Sequence, residues 1–150
     1  QVNMGMPGMS EYEIYRTDEE QVRRARKLSE LPLTEQIYVA QKKAIEEAAK
    51  RGSCVFIGRC ADYILKSRPD VLRVFVYADR DIRLRRAIDE YGDLEEHIDE
   101  FMHQTDKRRR IYYENYTNQR WGDRENYDLM LNSGDLGIER CVELICQAVK

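Results

Sequence analysis

Short, continuously apolar runs set between amphipathic segments are the feature that most restricts the fold of this chain. One such run occupies residues 53–57, and two further β-rich runs, interrupted by Arg73 and Asp128, occupy residues 71–78 and 127–131. Strands that are buried on both faces read as continuous apolar runs, and they occur in parallel sheets whose connections are helices. Because helical segments lie between and after these runs, the sequence predicts an α/β domain with a parallel sheet.

The ends of the helical segments carry recognisable signals. A helix from Thr34 to Gly52 is closed by Lys50 and Arg51. The residues expected on its core-facing side are Ile37, Ala40, Gln41, Ala44, Ile45 and Ala48. Further helices are predicted for residues 60–66, for 79–92 with Asp79 as the cap, for 93–116, and for 136–149.

Length and composition favour one soluble domain. The 150 residues are 42% hydrophobic and 35% charged, enough for a core without disulfides or metal. Neither a membrane span nor a signal peptide is visible, so we expect a cytoplasmic protein. Its four cysteines lack zinc-site spacing and predict no metal site. Residues 1–13, rich in Met and Gly, are interpreted as a mobile arm.

Basic charge is concentrated between Asp106 and Arg124. This stretch carries six basic and three acidic residues, a balance of +3, whereas the whole chain is −3 and the remainder therefore −6. Arginine side chains are planar, permanently charged forks that suit phosphate oxygens. The stretch is interpreted either as a site for a phosphorylated ligand or as a solvated helix end whose aromatics pack inside.

The topology predicts where such a site lies. Ligands of parallel α/β sheets bind beyond the carboxyl ends of the strands. Gly58 and Arg59 follow the first apolar run, residues 79–86 follow the second, and the basic stretch leads into the third. Arginines gathered at one edge repel each other, so a polyanion that neutralises them is the natural ligand.

Several motifs together resemble the cytidylate kinase-like family of P-loop nucleoside monophosphate kinases. They are Gly52-Ser-Cys-Val-Phe-Ile-Gly-Arg-Cys-Ala-Asp-Tyr-Ile-Leu65, Arg73-Val-Phe-Val-Tyr-Ala-Asp79, Asp106-Lys-Arg-Arg-Arg-Ile-Tyr-Tyr113, Trp121-Gly-Asp123 and Asn126-Tyr-Asp-Leu-Met-Leu-Asn132. The resemblance covers the chain from about Thr34 to its end. It implies a three-layer P-loop fold and phosphoryl transfer from ATP, with Mg²⁺, to a (d)CMP-like nucleoside monophosphate.

The resemblance also implies roles for individual residues. Arg59 would bind the phosphate of the acceptor nucleotide, Arg83 and Arg86 would lie at the base of a lid, and Arg109 would contact phosphates. The implied catalytic residues are Arg109 and Arg86. The implied substrate-binding residues are Arg59, Asp62, Arg83, Arg108 and Arg120; of the arginines, Arg108 and Arg120 are weaker carry-overs, as is Arg110. The lid would cover residues 102–121.

The sequence departs from the family pattern in two places. Cys60 follows Arg59 where classical members have Asp, and the nearest carboxylate is Asp62, which leaves cytidine specificity open. In addition, no Gly-x-x-x-x-Gly-Lys-Ser/Thr motif occurs in the 150 residues. Backbone N–H groups and a Lys in that motif hold the donor triphosphate. We therefore expect a kinase-like domain without its first strand, first helix and P-loop, inactive by itself.

Three functions remain to be compared. The first is an incomplete nucleoside monophosphate kinase, and the second is a nucleotide-binding or regulatory module that kept the fold and lost the chemistry. The third is a single-stranded RNA platform of arginines and tyrosines. The net charge of −3 disfavours nucleic acid, so the expected partner is a nucleoside monophosphate, without nucleic acid or membrane. Homo-oligomer formation stays open.

Overall fold

The computed structural model describes residues 31–92 and 95–149, which form a mixed helix and sheet domain. The helices are α1 (Leu33–Arg51), α2 (Ala61–Ile64), α3 (Arg80–Tyr91), α4 (Glu95–Thr117), a 3₁₀ turn (Arg124–Asn126), α5 (Ser133–Leu136) and α6 (Ile138–Ala148); the strands are β1 (Val74–Tyr77) and β2 (Leu129–Asn132). The predicted arm at residues 1–13 lies outside the described residues. Within them, no helix combines the length and the apolarity that crossing a membrane requires.

The sheet of the described residues consists of β1 and β2, which pair in parallel with Val74 opposite Leu129 and Tyr77 opposite Asn132. Helices α3 and α4 lie in the connection between the two strands. Arg73 fixes the register just before β1, because its backbone N–H and its guanidinium both donate to the Asp128 carboxylate at 2.8 Å. The parallel pairing that the apolar runs predict is confirmed for two of the three runs.

Residues 53–57 do not form the predicted strand. Within the described ranges, no backbone hydrogen bond joins them to another strand. Their side chains nevertheless alternate as in a strand, since Phe56 packs against the Ile45, Ala61 and Leu65 cluster while Val55 and Ile57 are 90% and 92% exposed. Within the described residues, the prediction of a buried parallel strand at 53–57 is therefore wrong in both its burial and its pairing, because a strand needs a neighbour that satisfies its backbone.

The buried face of α1 also differs from the prediction. Tyr38 and Ile45 are buried, whereas Ala40 and Ala44 are exposed and Ile37 is 47% exposed. Tyr38 stacks on Tyr116 of α4, with ring centroids 4.1 Å apart and an interplanar angle of 13°. Large aromatic rings bury more surface than alanines do. The stacking of Tyr38 therefore determines which side of α1 is buried.

Some helix boundaries follow their local signals, but Asp79 precedes α3 without a capping hydrogen bond to its side chain, and α1 begins at Leu33 instead of Thr34. Gly92 ends α3 in the left-handed conformation, with φ of 64° and its N–H donating to the Ile88 carbonyl at 2.8 Å. Helix α4 runs 23 residues to Thr117, as predicted. The helix predicted for residues 136–149 is α6, which begins only at Ile138, because Gly137, whose φ is 77°, separates it from the short helix α5 that was not predicted. The long helix α4 contains the consecutive basic residues 107–110.

Candidate functional site

The turn between residues 53–57 and α2 holds three consecutive residues in the left-handed region. Their φ angles are 68° at Gly58, 56° at Arg59 and 56° at Cys60. A non-glycine residue pays about 1–3 kcal/mol for such a conformation, which therefore persists only where the surroundings enforce it. Here the Ala61 N–H donates to the Gly58 carbonyl at 3.2 Å, and Cys60 is 2% exposed within a tyrosine cluster. Strain of this kind accumulates at functional sites.

This turn presents the side chain of Arg59 to solvent next to helix α4. Its guanidinium carbon lies 6.0 Å from the centroid of the Tyr112 ring. Among the described residues, Arg59 pairs with no carboxylate. A cation presented by a strained turn and left without an internal counter-ion is suited to an external anion.

Helix α4 carries Lys107 and three arginines at consecutive positions, all exposed. Successive helical residues point in different directions, and neighbours lie three or four positions apart. Arg109 and Arg108 precede Tyr112 by three and four residues, so they share its side of the helix and therefore the side of Arg59. Arg110, two residues from Tyr112, lines a different side together with His103 and Glu114. The structure thus separates Arg110 from the predicted group.

Arg83 and Arg109 meet at one carboxylate. Asp106 accepts from Arg83 at 2.7 Å and from Arg109 at 3.5 Å. A second pair, Arg80 with Asp99 at 2.6 Å, also joins α3 to α4. Arg83 therefore stabilises the helix pair, while Arg109 has the weaker contact and stays 62% exposed. Of the two, Arg109 is the more available to a ligand.

Arg86 lies at the carboxyl ends of both strands. Its guanidinium donates to the Ser133 carbonyl at 2.8 Å and to Ser133 Oγ at 3.1 Å. The Ser133 hydroxyl in turn donates to the Tyr77 carbonyl at 3.1 Å. Arg86 thus binds together the loops that follow β1 and β2, at the edge where the topology predicted the site.

Asp62 is directed inward, toward Tyr113. The Tyr113 hydroxyl donates to its Oδ2 at 2.6 Å. Burial, followed by this bond, raises the pKa of Tyr113 above its ordinary value, so the phenol remains a donor. The carboxylate predicted to bind substrate is therefore engaged in a link between α2 and α4.

Cys60 occupies a closed environment. Burial raises the pKa of its thiol to about 12, with Asp62 adding to the effect and Arg59 opposing it. A thiol that stays protonated is a poor nucleophile. Cys60 therefore supports the turn by packing between tyrosines and has no chemical role at neutral pH.

Arg120 belongs to a structured connection between α4 and β2. The Asn126 side chain donates to the Arg120 carbonyl at 2.9 Å, and Trp121 packs edge-on against Phe75 at 5.7 Å. A Cβ on Gly122 would come within 3.2 Å of the Phe75 ring, which explains the glycine. The exposed Arg120 side chain lines a shallow depression with Trp121, apart from the contacts of Arg59.

Comparison with known proteins adds the assignment of the fold. The family model of the cytidylate kinase-like family matches residues 6–135. The chain belongs to the cytidylate kinase-like family. The match spans most of the chain, so the resemblance carried by the motifs is confirmed.

A crystal structure resembles the chain as a whole. It is that of an uncharacterized protein from Eubacterium ventriosum ATCC 27560, 26% identical, with a TM-score of 0.75. The similarity covers 89% of the present chain and 73% of the other chain. No curated protein matches the sequence significantly. Membership of the cytidylate kinase-like family suggests a nucleotide-binding, kinase-type function at the level of the family.

Membership of the family implies a nucleotide and a metal ion in general. Within residues 31–92 and 95–149, no three His, Cys, Asp or Glu side chains cluster as metal ligands would. The sequence also has no Gly-rich loop followed by Lys and Ser or Thr. The chemistry that can be derived from this chain is therefore the binding of an anion, and no step of transfer is derived from it.

Two residues of the site escaped the sequence analysis. Gln41 was interpreted as part of the core face of α1, yet its Oε1 accepts from the Tyr112 hydroxyl at 2.8 Å. Ser133 carries no motif, and only the meeting of Arg86 with the strand ends reveals it. Both contacts join residues more than forty positions apart, so local patterns give no signal for them.

Proposed function

We propose that this chain forms the nucleotide-acceptor side of a nucleoside monophosphate kinase-like domain with the three-layer P-loop architecture. The ligand is a (d)CMP-like nucleotide whose phosphate is held by Arg59 and Arg109, with Arg108 beside them. The observation that supports this most directly is the Arg59 guanidinium, which pairs with no carboxylate of residues 31–92 and 95–149 and lies on its strained turn next to the exposed arginines of α4. Family membership supplies the nucleotide as the class of ligand.

The reaction that the family implies would transfer the γ-phosphoryl group of ATP to a phosphate oxygen of the nucleotide, leaving ADP and a nucleoside diphosphate. That reaction depends mainly on positioning and on neutralising charge. Arg59, Arg108 and Arg109 supply these functions for the acceptor. The donor side requires a P-loop, which this sequence lacks, so the 150-residue chain alone should be inactive.

Titration calorimetry with CMP tests the proposal. We expect weak binding by the wild-type chain and a loss of affinity of about tenfold or more in Arg109→Ala, because a hydrogen bond to a charged group contributes about 1.5–3 kcal/mol. Arg140→Ala, an exposed arginine of α6 paired with Glu143, is the matched control and should bind as the wild type does. Equal affinity in the wild type and Arg109→Ala would remove Arg109 from the site.

A second candidate function is a nucleotide-binding module without catalysis, which the missing P-loop favours. Turnover distinguishes the two. Neither the chain alone nor Arg109→Ala should phosphorylate CMP, dCMP or UMP with ATP and Mg²⁺. Activity of the 150-residue chain above background would contradict the inference that the donor site is absent, while restored activity after fusion of a P-loop segment would exclude the non-catalytic module.

A further inference from the structure

Tyr112 connects helix α1 to the guanidinium of Arg59. Its hydroxyl donates to Gln41 Oε1 at 2.8 Å, and its ring packs on Tyr116 with centroids 4.7 Å apart. The ring is therefore held at its hydroxyl end and against a neighbouring ring, while Arg59 lies over it. Tyr116 is itself fixed, because it stacks on Tyr38 and donates to the Thr34 carbonyl at 3.1 Å.

The hydrogen bond between Tyr112 and Gln41 requires a protonated hydroxyl as the donor and an oxygen as the acceptor. Burial raises the pKa of Tyr112 to about 12, so its hydroxyl keeps the proton at neutral pH. Gln41 supplies a carbonyl oxygen as the acceptor. Glutamate at this position would still accept from the hydroxyl, whereas leucine could not.

An arginine side chain has several rotatable bonds, and ordering it on binding opposes affinity. A fixed aromatic ring beneath the guanidinium reduces that loss because it restricts the side chain before the ligand arrives. The left-handed turn restricts the backbone of the same residue. The conformations of the Arg59 backbone and side chain are therefore both restricted before a ligand binds.

We propose that Gln41 is a positioning residue which, through Tyr112, orients Arg59 toward the phosphate of a nucleoside monophosphate. The inference rests on the proposed function. It adds a residue of α1 that touches no ligand, and it assigns the Tyr112 hydroxyl to the support of Arg59. A purely structural role for Gln41 would affect folding without depending on Arg59.

A double-mutant cycle measured by CMP titration separates these roles. We expect Gln41→Leu and Tyr112→Phe each to weaken CMP binding about three- to tenfold, and Arg59→Ala to weaken it more. Adding Gln41→Leu to Arg59→Ala should change nothing further, because its effect passes through Arg59. Gln104→Leu, which breaks an α4 hydrogen bond to Glu100, is the control and should leave the affinity unchanged.

The outcomes are distinct. If Arg59→Ala weakens binding while Gln41→Leu and Tyr112→Phe bind as the wild type, the positioning role is refuted and the proposed function stands. Equal losses from Gln41→Leu with and without Arg59 also refute it, since they indicate a structural effect. If the wild type does not bind CMP, or Arg59→Ala binds it equally well, the proposed site is wrong and the inference falls with it.

Discussion

The free energy of unfolding should fall less steeply at alkaline pH when Cys60 is replaced by Ala. Burial holds the thiol neutral in the folded protein by raising its pKa from 9.0 to about 12. The unfolded chain, with the lower pKa, loses this proton first as the pH rises. The contribution of the thiol to stability is therefore complete below pH 9 and is lost between about pH 9 and pH 12.

The size of the effect follows from the two pKa values. Each pKa unit corresponds to about 1.4 kcal/mol, so the full difference amounts to about 4 kcal/mol. Between pH 8 and pH 10 the unfolded thiol ionises and the folded one does not, which lowers the free energy of unfolding by about 1.4 kcal/mol. Titrating groups remote from Cys60 contribute equally to the wild type and the variant, so the difference between them reports Cys60 together with its interactions with Tyr112 and Tyr127.

Urea unfolding at pH 8 and pH 10 measures this difference. The free energy of unfolding of Cys60→Ala should fall by about 1.4 kcal/mol less than that of the wild type over this range. Any packing lost with the sulfur affects the variant at both pH values and cancels. Cys146→Ala, which removes an exposed thiol, should fall as the wild type does. Parallel behaviour of Cys60→Ala and wild type would refute the reasoning.

Two further predictions concern packing and motion. Gly134→Ala should lower the free energy of unfolding by about 1–3 kcal/mol, because the new Cβ would lie 2.8 Å from Ile82 Cδ1 and 3.0 Å from Asn132 Oδ1; an unchanged urea midpoint would contradict this. The predicted lid at residues 102–121 requires that, in hydrogen exchange without ligand, the amides of residues 108–121 exchange faster than those of Val74–Tyr77 and that CMP slow them, even though Tyr113 and Tyr116 of this segment are buried. Equal protection of both segments would make α4 rigid scaffold.

Residues 53–57 show that a local apolar pattern does not predict whether a segment pairs as a strand. The run is apolar and alternates in the folded chain as a strand does, with Phe56 inward and Val55 outward. Whether such a segment is a strand depends on a neighbour, which lies elsewhere in the sequence or outside the described residues. Hydrogen-bond pairing is a long-range property, and a short window of sequence does not contain it.

Features that depend on neighbouring residues could be predicted from the sequence: the end of α3 at Gly92, the β-rich runs that form β1 and β2, and the motifs of the cytidylate kinase-like family. Tertiary structure decided which predicted residues meet. It joined Arg83 to Asp106, directed Asp62 toward Tyr113, and brought Gln41 to the ring beneath Arg59. The physical reason is the sequence distance over which each interaction acts. Capping and periodicity act within a few residues, whereas the packing of tyrosines between helices joins distant residues and determines which side of α4 faces α1.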